Sequence, residues 1–253
     1  MLKNTFCHIQ RIGLATENKL WSAGIHDWEI FNQSAGIPLS NKKVASIIPV
    51  LEESTRHLAT GNPHYFIQYL PVNQYWRLFP HFRDTIAYVD IETTGLENWC
   101  NEITTIALYD GQTVRTYVNG QNLDEFVRDI EQFKIVVTYN GRCFDVPFIE
   151  KHFGIRMNHV HIDLRFLLKS LGFSGGLKGC ERQMGIDRGD LSDIDGYYAV
   201  ILWNEYRRTG NETKLKLLLD YNSADARNLE SLLVKAYNMK LKDTPFYESN
   251  KIM

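Results

Sequence analysis

Ile86-Ala87-Tyr88-Val89-Asp90-Ile91-Glu92-Thr93-Thr94-Gly95-Leu96 is the stretch whose reading decides the fold. Its four opening residues, Ile86 to Val89, predict a strand buried on both faces. Asp90 and Glu92 follow two apart, so both side chains leave the same face of that strand. The polar Thr93-Thr94-Gly95 segment predicts a turn. Two carboxylates side by side at the end of a buried strand repel each other, and without a cation between them one should keep its proton. A divalent metal held by oxygen ligands resolves that conflict. The competing reading is a solvated strand end with an ordinary turn, and for an isolated Asp-x-Glu it would prevail.

Downstream, Ile103 to Tyr109 and Val114 to Val118 predict two more strands, joined by the hairpin signal Asp110-Gly111-Gln112. Leu123, Phe126, Val127 and Ile130 recur at helical spacing, and Ile135 to Tyr139 predicts a further buried strand. Three antiparallel strands, a helix, and a strand able to join parallel to the first describe an α/β domain with a mixed sheet. Asn140-Gly141-Arg142-Cys143-Phe144-Asp145 follows that strand, and Asp145 precedes a helix with Phe148, Ile149 and Phe153 on one side, where its plain role is an N-cap. His159 and His161 alternate along a short strand ending at Asp163; with no further Cys or His beside them, two ordinary histidines is the preferred reading. The remainder reads as helical: Leu164 to Leu171, a segment after Gly175-Gly176 holding Leu177, Cys180 and Met184, then Ile194 to Arg208 and Glu212 to Met239. On the last of these Tyr221 and Asp225 stand one turn apart on one face.

Upstream, Thr16 to Ala23 has a helical pattern closed by Gly24, and Asp27 can cap a short helix burying Trp28 and Phe31. Ser40 begins a longer helix through Val44, Ile47, Ile48, Leu51 and Leu58, in which Pro49 predicts a kink or break. The aromatic run from Tyr65 to Phe82 predicts packing against the domain rather than a loose tether. The expected organisation is a helical N-terminal segment over 1–62, an aromatic linker packed on the core over 63–85, an α/β domain over 86–240 and a tail over 241–253.

Composition bounds the chemistry. A chain of 253 residues that is 44% hydrophobic and 23% charged is that of an ordinary globular protein. No run of about 18 apolar residues occurs and no secretory signal core is evident, so a cytoplasmic location without membrane attachment is expected. The four scattered cysteines read as free, mostly buried thiols in a reducing compartment. A formal net charge of −2 argues against a broad basic surface for nucleic acid. It does not argue against a nuclease, because metals in an acidic cleft supply local positive charge.

The ordered set Asp90-x-Glu92-Thr93-Thr94-Gly95-Leu96, Asn140-x-x-x-Phe144-Asp145 and Tyr221-x-x-x-Asp225 resembles the three motifs of the DEDD superfamily of 3′-to-5′ exonucleases, in its tyrosine (DEDDy) form, on a ribonuclease H-like fold. Trp76-Arg77-Leu78-Phe79, Gly176-Leu177-Lys178 and the N-terminal hairpin also resemble a prokaryotic branch of predicted exonucleases. That hairpin is similar to a helix-hairpin-helix module, whose usual Gly-x-Gly turn is Arg11-Ile12-Gly13 here, a departure that weighs against direct phosphate binding by the turn.

The resemblance implies a five-stranded mixed sheet flanked by helices and a site for two divalent cations, Mg²⁺ or Mn²⁺, held by Asp90, Glu92, Asp145 and Asp225. It gives Asp90 to both ions, Glu92 and Asp225 to the ion of the attacking water, and Asp145 to the ion at the leaving oxygen. Tyr221 would orient the water and help deprotonate it. Thr93, Thr94 and Leu96 would grip the terminal nucleotide, Asn140 and Phe144 would border the same cleft, and Lys178 is a looser candidate for a backbone phosphate, an exposed surface lysine being its plainer reading. The implied partner is single-stranded or 3′-ended nucleic acid, DNA or RNA, since nothing identifiable reads a 2′-hydroxyl. A non-catalytic binding or scaffold module and a structure-selective endonuclease are the alternatives.

Overall fold

The computed structural model describes residues 1–95, 100–191 and 195–252, the side chain of Asp190 excepted. The chain packs as two units, one made of Met1–Arg83 with Tyr237–Met253 and the other of Asp84–Ala236. The expected division instead separated 63–85 as a linker and 241–253 as a tail.

In the first unit α1 spans Leu14–Ser22 and α2 Trp28–Gln33. Gly24, at φ +81°, ends the first helix as a glycine in the left-handed region does, with the Ile25 N–H returning to the Leu20 carbonyl. Asp27 caps the second, accepting from the Ile30 N–H at 2.8 Å. Arg11 adopts φ +64°, so the departure from Gly-x-Gly places an arginine in a conformation that favours glycine. The third helix, α3 (Asn41–Ala59), runs through Pro49 without the break that the proline predicts. Proline removes one backbone donor, but Ile47, Leu51, Ser54 and Leu58 lie buried along one face, and that packing carries the helix across. Next come α4 (Pro63–Ile67), a 3-10 turn over Val72–Leu78 and α5 (Phe79–Phe82), with Tyr75, Trp76, Phe79 and Phe82 buried.

The second unit is built on five strands, β1 (Ile86–Thr93), β2 (Ile103–Tyr109), β3 (Val114–Val118), β4 (Ile135–Thr138) and β5 (Val160–Asp163). They form one sheet in the order β3-β2-β1-β4-β5. The first three are antiparallel neighbours, while β4 joins β1 in parallel and β5 joins β4 in parallel. The mixed five-stranded sheet is thus the expected one, and β2 and β3 have the predicted bounds. One face of β1 buries Ala87, Val89 and Ile91 in a core with Phe126 and Ile130 of α6 (Glu125–Ile130) and Phe148 and Ile149 of α7 (Asp145–Phe153). By alternation, Tyr88, Asp90 and Glu92 leave the other face.

The chain continues through α8 (Leu164–Lys169), α9 (Gly176–Gln183), α10 (Gly196–Thr209), α11 (Glu212–Leu241) and α12 (Tyr247–Asn250). Ile194, the expected start of one helix, lies outside the described residues. Leu202 and Trp203 of α10 pack with Leu215, Leu218 and Tyr221 of α11 in a second apolar cluster. Among the described residues no helix is long and apolar enough to cross a membrane. Of the four cysteines only Cys7 and Cys180 are buried; Cys100 and Cys143 sit on exposed turns, against the expectation of mostly buried thiols.

Candidate active site

Strand β1 extends through Thr93, so Asp90 and Glu92 lie inside the sheet, paired in register with Ala107 and Thr105 of β2, rather than beyond its end. The register shifts between Glu92 and Thr93, which starts the turn. Helix α11 brings Asp225 against this face, and Asp90, Glu92 and Asp225 each offer a carboxylate oxygen within 4.8 Å of the others. Asp145 is buried at 4% exposure but stands outside that trio. It is the first residue of α7 and not its cap: the cap position is Phe144, and no side chain bonds there. Its carboxylate instead accepts the backbone N–H groups of Ile91 and of Asp145 itself, which ties the start of α7 to β1.

The turn before α7 is organised by Asp163, which accepts the N–H groups of Asn140 at 2.8 Å, Arg142 at 3.1 Å and Arg165 at 3.0 Å. Asn140 takes φ +66° in this turn, and its side-chain oxygen accepts from Arg165. Tyr139, Asn140, Arg165, Lys169, Phe173 and Ser174 line a surface cleft of about 600 Å³. The two histidines are spent on structure, as the plain reading holds: His161 Nε2 meets Thr138 Oγ1 at 2.8 Å and His159 Nε2 meets the Ile130 carbonyl at 3.0 Å.

Burial and mutual repulsion govern the electrostatics. Asp90 is pushed well above the usual carboxylate range, first by burial and then by Asp225, Glu92 and Asp145. Glu92 is raised by burial and then by Asp225 and Asp145. Burial lifts Asp145 to about 7 and Asp225 to about 6, Arg188 opposing the rise at Asp225. Burial, then the carboxylates of Asp225, Glu92 and Asp90, raise the Tyr221 phenol above its ordinary value. A phenol raised in this way keeps its proton at neutral pH and is a hydrogen-bond donor.

Clustered, desolvated carboxylates, one with an oxygen that receives no aligned hydrogen bond (Asp225 Oδ1), form an all-oxygen donor set that fits a hard divalent cation.

The residues expected to meet a nucleotide have different surroundings. Thr93 Oγ1 donates to the Gly95 carbonyl, and Thr94 Oγ1 donates to Asn101 Oδ1 at 3.2 Å and accepts the Glu102 N–H at 3.0 Å, so both hydroxyls shape the turn. Leu96 lies outside the described residues. Phe144 packs inward, its ring 4.9 Å from that of Phe148. Lys178 is not the exposed lysine of the plainer reading: it is half-buried with Nζ 5.1 Å from the Tyr221 ring centre.

Four side chains that sequence reading passed over complete the site. Asn222 Nδ2 donates to Asp90 Oδ2 at 2.7 Å and to the Asp90 carbonyl at 3.1 Å, while its oxygen accepts from Thr105 of β2 at 3.0 Å. Arg188, in the loop after α9, forms ion pairs with Glu181 of α9 and Asp225 of α11. Asn222 stands three residues before Asp225 and so neighbours it on the surface of α11, a spacing that carried a signal. No such local signal exists for Glu181 or Arg188.

No curated protein matches this sequence. Among solved structures, the chain is similar to the family B DNA polymerase from the hyperthermophilic archaeon Pyrobaculum calidifontis, at 16% identity and TM-score 0.48 over 64% of this chain, which spans 26% of the polymerase. It is also similar to Brucella melitensis NrnC bound to pGG, at 18% identity and TM-score 0.34 over 69% of this chain and 93% of that one. NrnC with bound Mg²⁺ matches at 18% identity and TM-score 0.33 over the same shares. The family model of the RNase_H superfamily (RNase_H_2) matches residues 87–237, the sheet and the helices that carry all four acidic residues. With that match covering more than half of its length, the chain belongs to the ribonuclease H superfamily.

Proposed function

We propose that the chain is a metal-dependent nuclease, a 3′-to-5′ exonuclease that hydrolyses phosphodiester bonds at the free end of a single-stranded nucleic acid, DNA or RNA. The observation that carries this reading is the cluster of Asp90, Glu92 and Asp225 with oxygens within 4.8 Å of one another on a ribonuclease H fold. Asp90, Glu92 and Asp225 would hold divalent cations, two Mg²⁺ or Mn²⁺ in all, with Asp145 beside them. Bound there, such ions supply positive charge to the phosphoryl oxygens and lower the pKa of water.

The chain's own residues do the rest. Asn222 orients the Asp90 carboxylate through one hydrogen bond to Oδ2 and braces the strand through a second to the Asp90 carbonyl. Tyr221, protonated and buried, presents a donor that orients water for attack at phosphorus, with the 3′-oxygen of the preceding nucleotide leaving. Lys178, held over the Tyr221 ring, places a positive charge for a substrate phosphate. The turn at Thr93 and Thr94 seats the terminal nucleotide, and Asn140 with Arg165 and Lys169 lines the cleft along which the strand runs.

The test is degradation of an end-labelled single strand with Mg²⁺ or Mn²⁺. Stepwise shortening from the 3′ end, lost in Asp90→Ala and in Asp225→Ala, is expected. Equal activity of both variants would refute the assignment.

A further inference from the structure

The site holds one guanidinium among its acids, and its placement is specific. Arg188 is 5% exposed, Glu181 1% and Asp225 6%. Arg188 Nε pairs with Glu181 Oε2, and its Nη2 donates to Glu181 Oε1 at 2.8 Å while also meeting Asp225 Oδ1. Asn228, one turn beyond Asp225 on α11, donates to the same Glu181 oxygen at 2.9 Å. Glu181 thus holds the guanidinium by two contacts and Asp225 by one.

The two ends of this chain of charges differ in kind. At Glu181 the fork of the guanidinium matches both carboxylate oxygens. At Asp225 the oxygen receives charge but no aligned hydrogen bond from any described residue. Asp225 is also the acid whose oxygen lies within 4.8 Å of those of Asp90 and Glu92. A cation entering that group meets a side chain already neutralised by Arg188, and a guanidinium cannot give up its charge by losing a proton. It can only let go, and Glu181 keeps it paired when it does.

We infer that Arg188 is the internal counter-cation of Asp225, a positioning residue that a divalent metal must displace, and that Glu181 sets how readily it leaves. This rests on the reading of Asp90, Glu92 and Asp225 as a cation site. Its consequence is a site whose affinity for metal is held down until the ion prevails over the guanidinium at Asp225. It also predicts opposite effects for two neutralising substitutions that a merely structural role would move in the same direction.

The experiment is calorimetric titration of the full chain with Mn²⁺, without nucleic acid, for the wild type, R188Q, E181Q and D90N. R188Q should bind Mn²⁺ about tenfold more tightly, since one positive charge a few Å away is removed. E181Q, which leaves Arg188 to Asp225 alone, should bind about tenfold more weakly. Should R188Q not fold, R188K, whose arm does not span both acids with a fork, takes its place with the same direction and a smaller shift. Equal shifts in one direction, or none, in R188Q and E181Q with wild-type uptake lost in D90N would overturn this inference alone. No uptake by the wild type at millimolar Mn²⁺ would overturn it together with the cation-site reading.

Discussion

Each unit of the molecule buries an arginine against a glutamate, and the two pairs have opposite surroundings. In the first, Glu17 Oε2 accepts Thr5 Oγ1 and the Phe6 N–H at 2.6 Å each and the Cys7 N–H at 3.3 Å, while Oε1 pairs with Arg77 at 2.9 Å. Arg77 in turn lies over the rings of Trp21 and Trp76 and bonds Gln74. One acid meets one base, and the hydrogen bonds knit the N-terminal turn to α1. In the second, Asp90, Glu92, Asp145 and Asp225 repel one another, and Arg188, which pairs with Asp225, is already claimed by Glu181. A buried acid matched by donors is architecture; buried acids in excess of donors are strained until something cationic arrives.

Substitution should separate the two sites. Losing Asp90 or Asp225 should reduce nuclease turnover by more than about a hundredfold, above the range for groups that merely orient a ligand, with the melting temperature held or raised. Glu17→Ala should do the reverse. It leaves Arg77 buried and unmatched, costing roughly 3–5 kcal/mol in denaturant unfolding while Mn²⁺ binding by the folded protein is unchanged. Asn222→Ala lies between, an expected loss of about 10–100-fold in metal affinity or turnover without a stability loss of the Glu17 kind. If Asn222→Ala unfolds the protein instead, its bonds to Asp90 belong with the architecture.

The pH dependence should have opposite sign in the two regions, at about 1.4 kcal/mol per pH unit for each proton. Burial among Trp28 and Phe66 pushes His8 from 6.5 down to about 3, so it is neutral in the fold while the unfolded chain takes up a proton. Its contribution is full above 6.5 and is lost as pH falls towards about 3. Burial lifts Asp145 from 3.8 to about 7, so its contribution is full below 3.8 and is lost as pH rises through about 7. Hydrogen-exchange protection of metal-free protein should therefore fall in α1 and α3 on acidification and in β1 and α7 on alkalinisation. His8→Phe should flatten the first trend and Asp145→Asn the second; Mn²⁺ should also flatten the second.

What could be read in the chain divides along the same line. Alternation and turn chemistry are local, so β2 and β3, the Asp27 and Ser40 caps and the helix stop at Gly24 were all legible. Asp90 and Glu92 were legible because two residues on a strand share a face, and Tyr221 with Asp225 because four on a helix do. Pro49 misled because packing along α3 outweighs one lost hydrogen bond. The plainer reading of Asp145 as a cap fails because its carboxylate is turned to β1, far away in sequence. Arg188 and Glu181 had no signal at all: a polar loop and an amphipathic helix become a charge relay only when α11 is laid against them.

The central claim, that Asp90, Glu92 and Asp225 hold a divalent cation, is open to direct observation. Crystals soaked in Mn²⁺ and measured at the manganese absorption edge should show an anomalous peak bounded by those three carboxylates, absent from Asp90→Asn crystals. A peak elsewhere, or no peak at saturating Mn²⁺, would contradict the account.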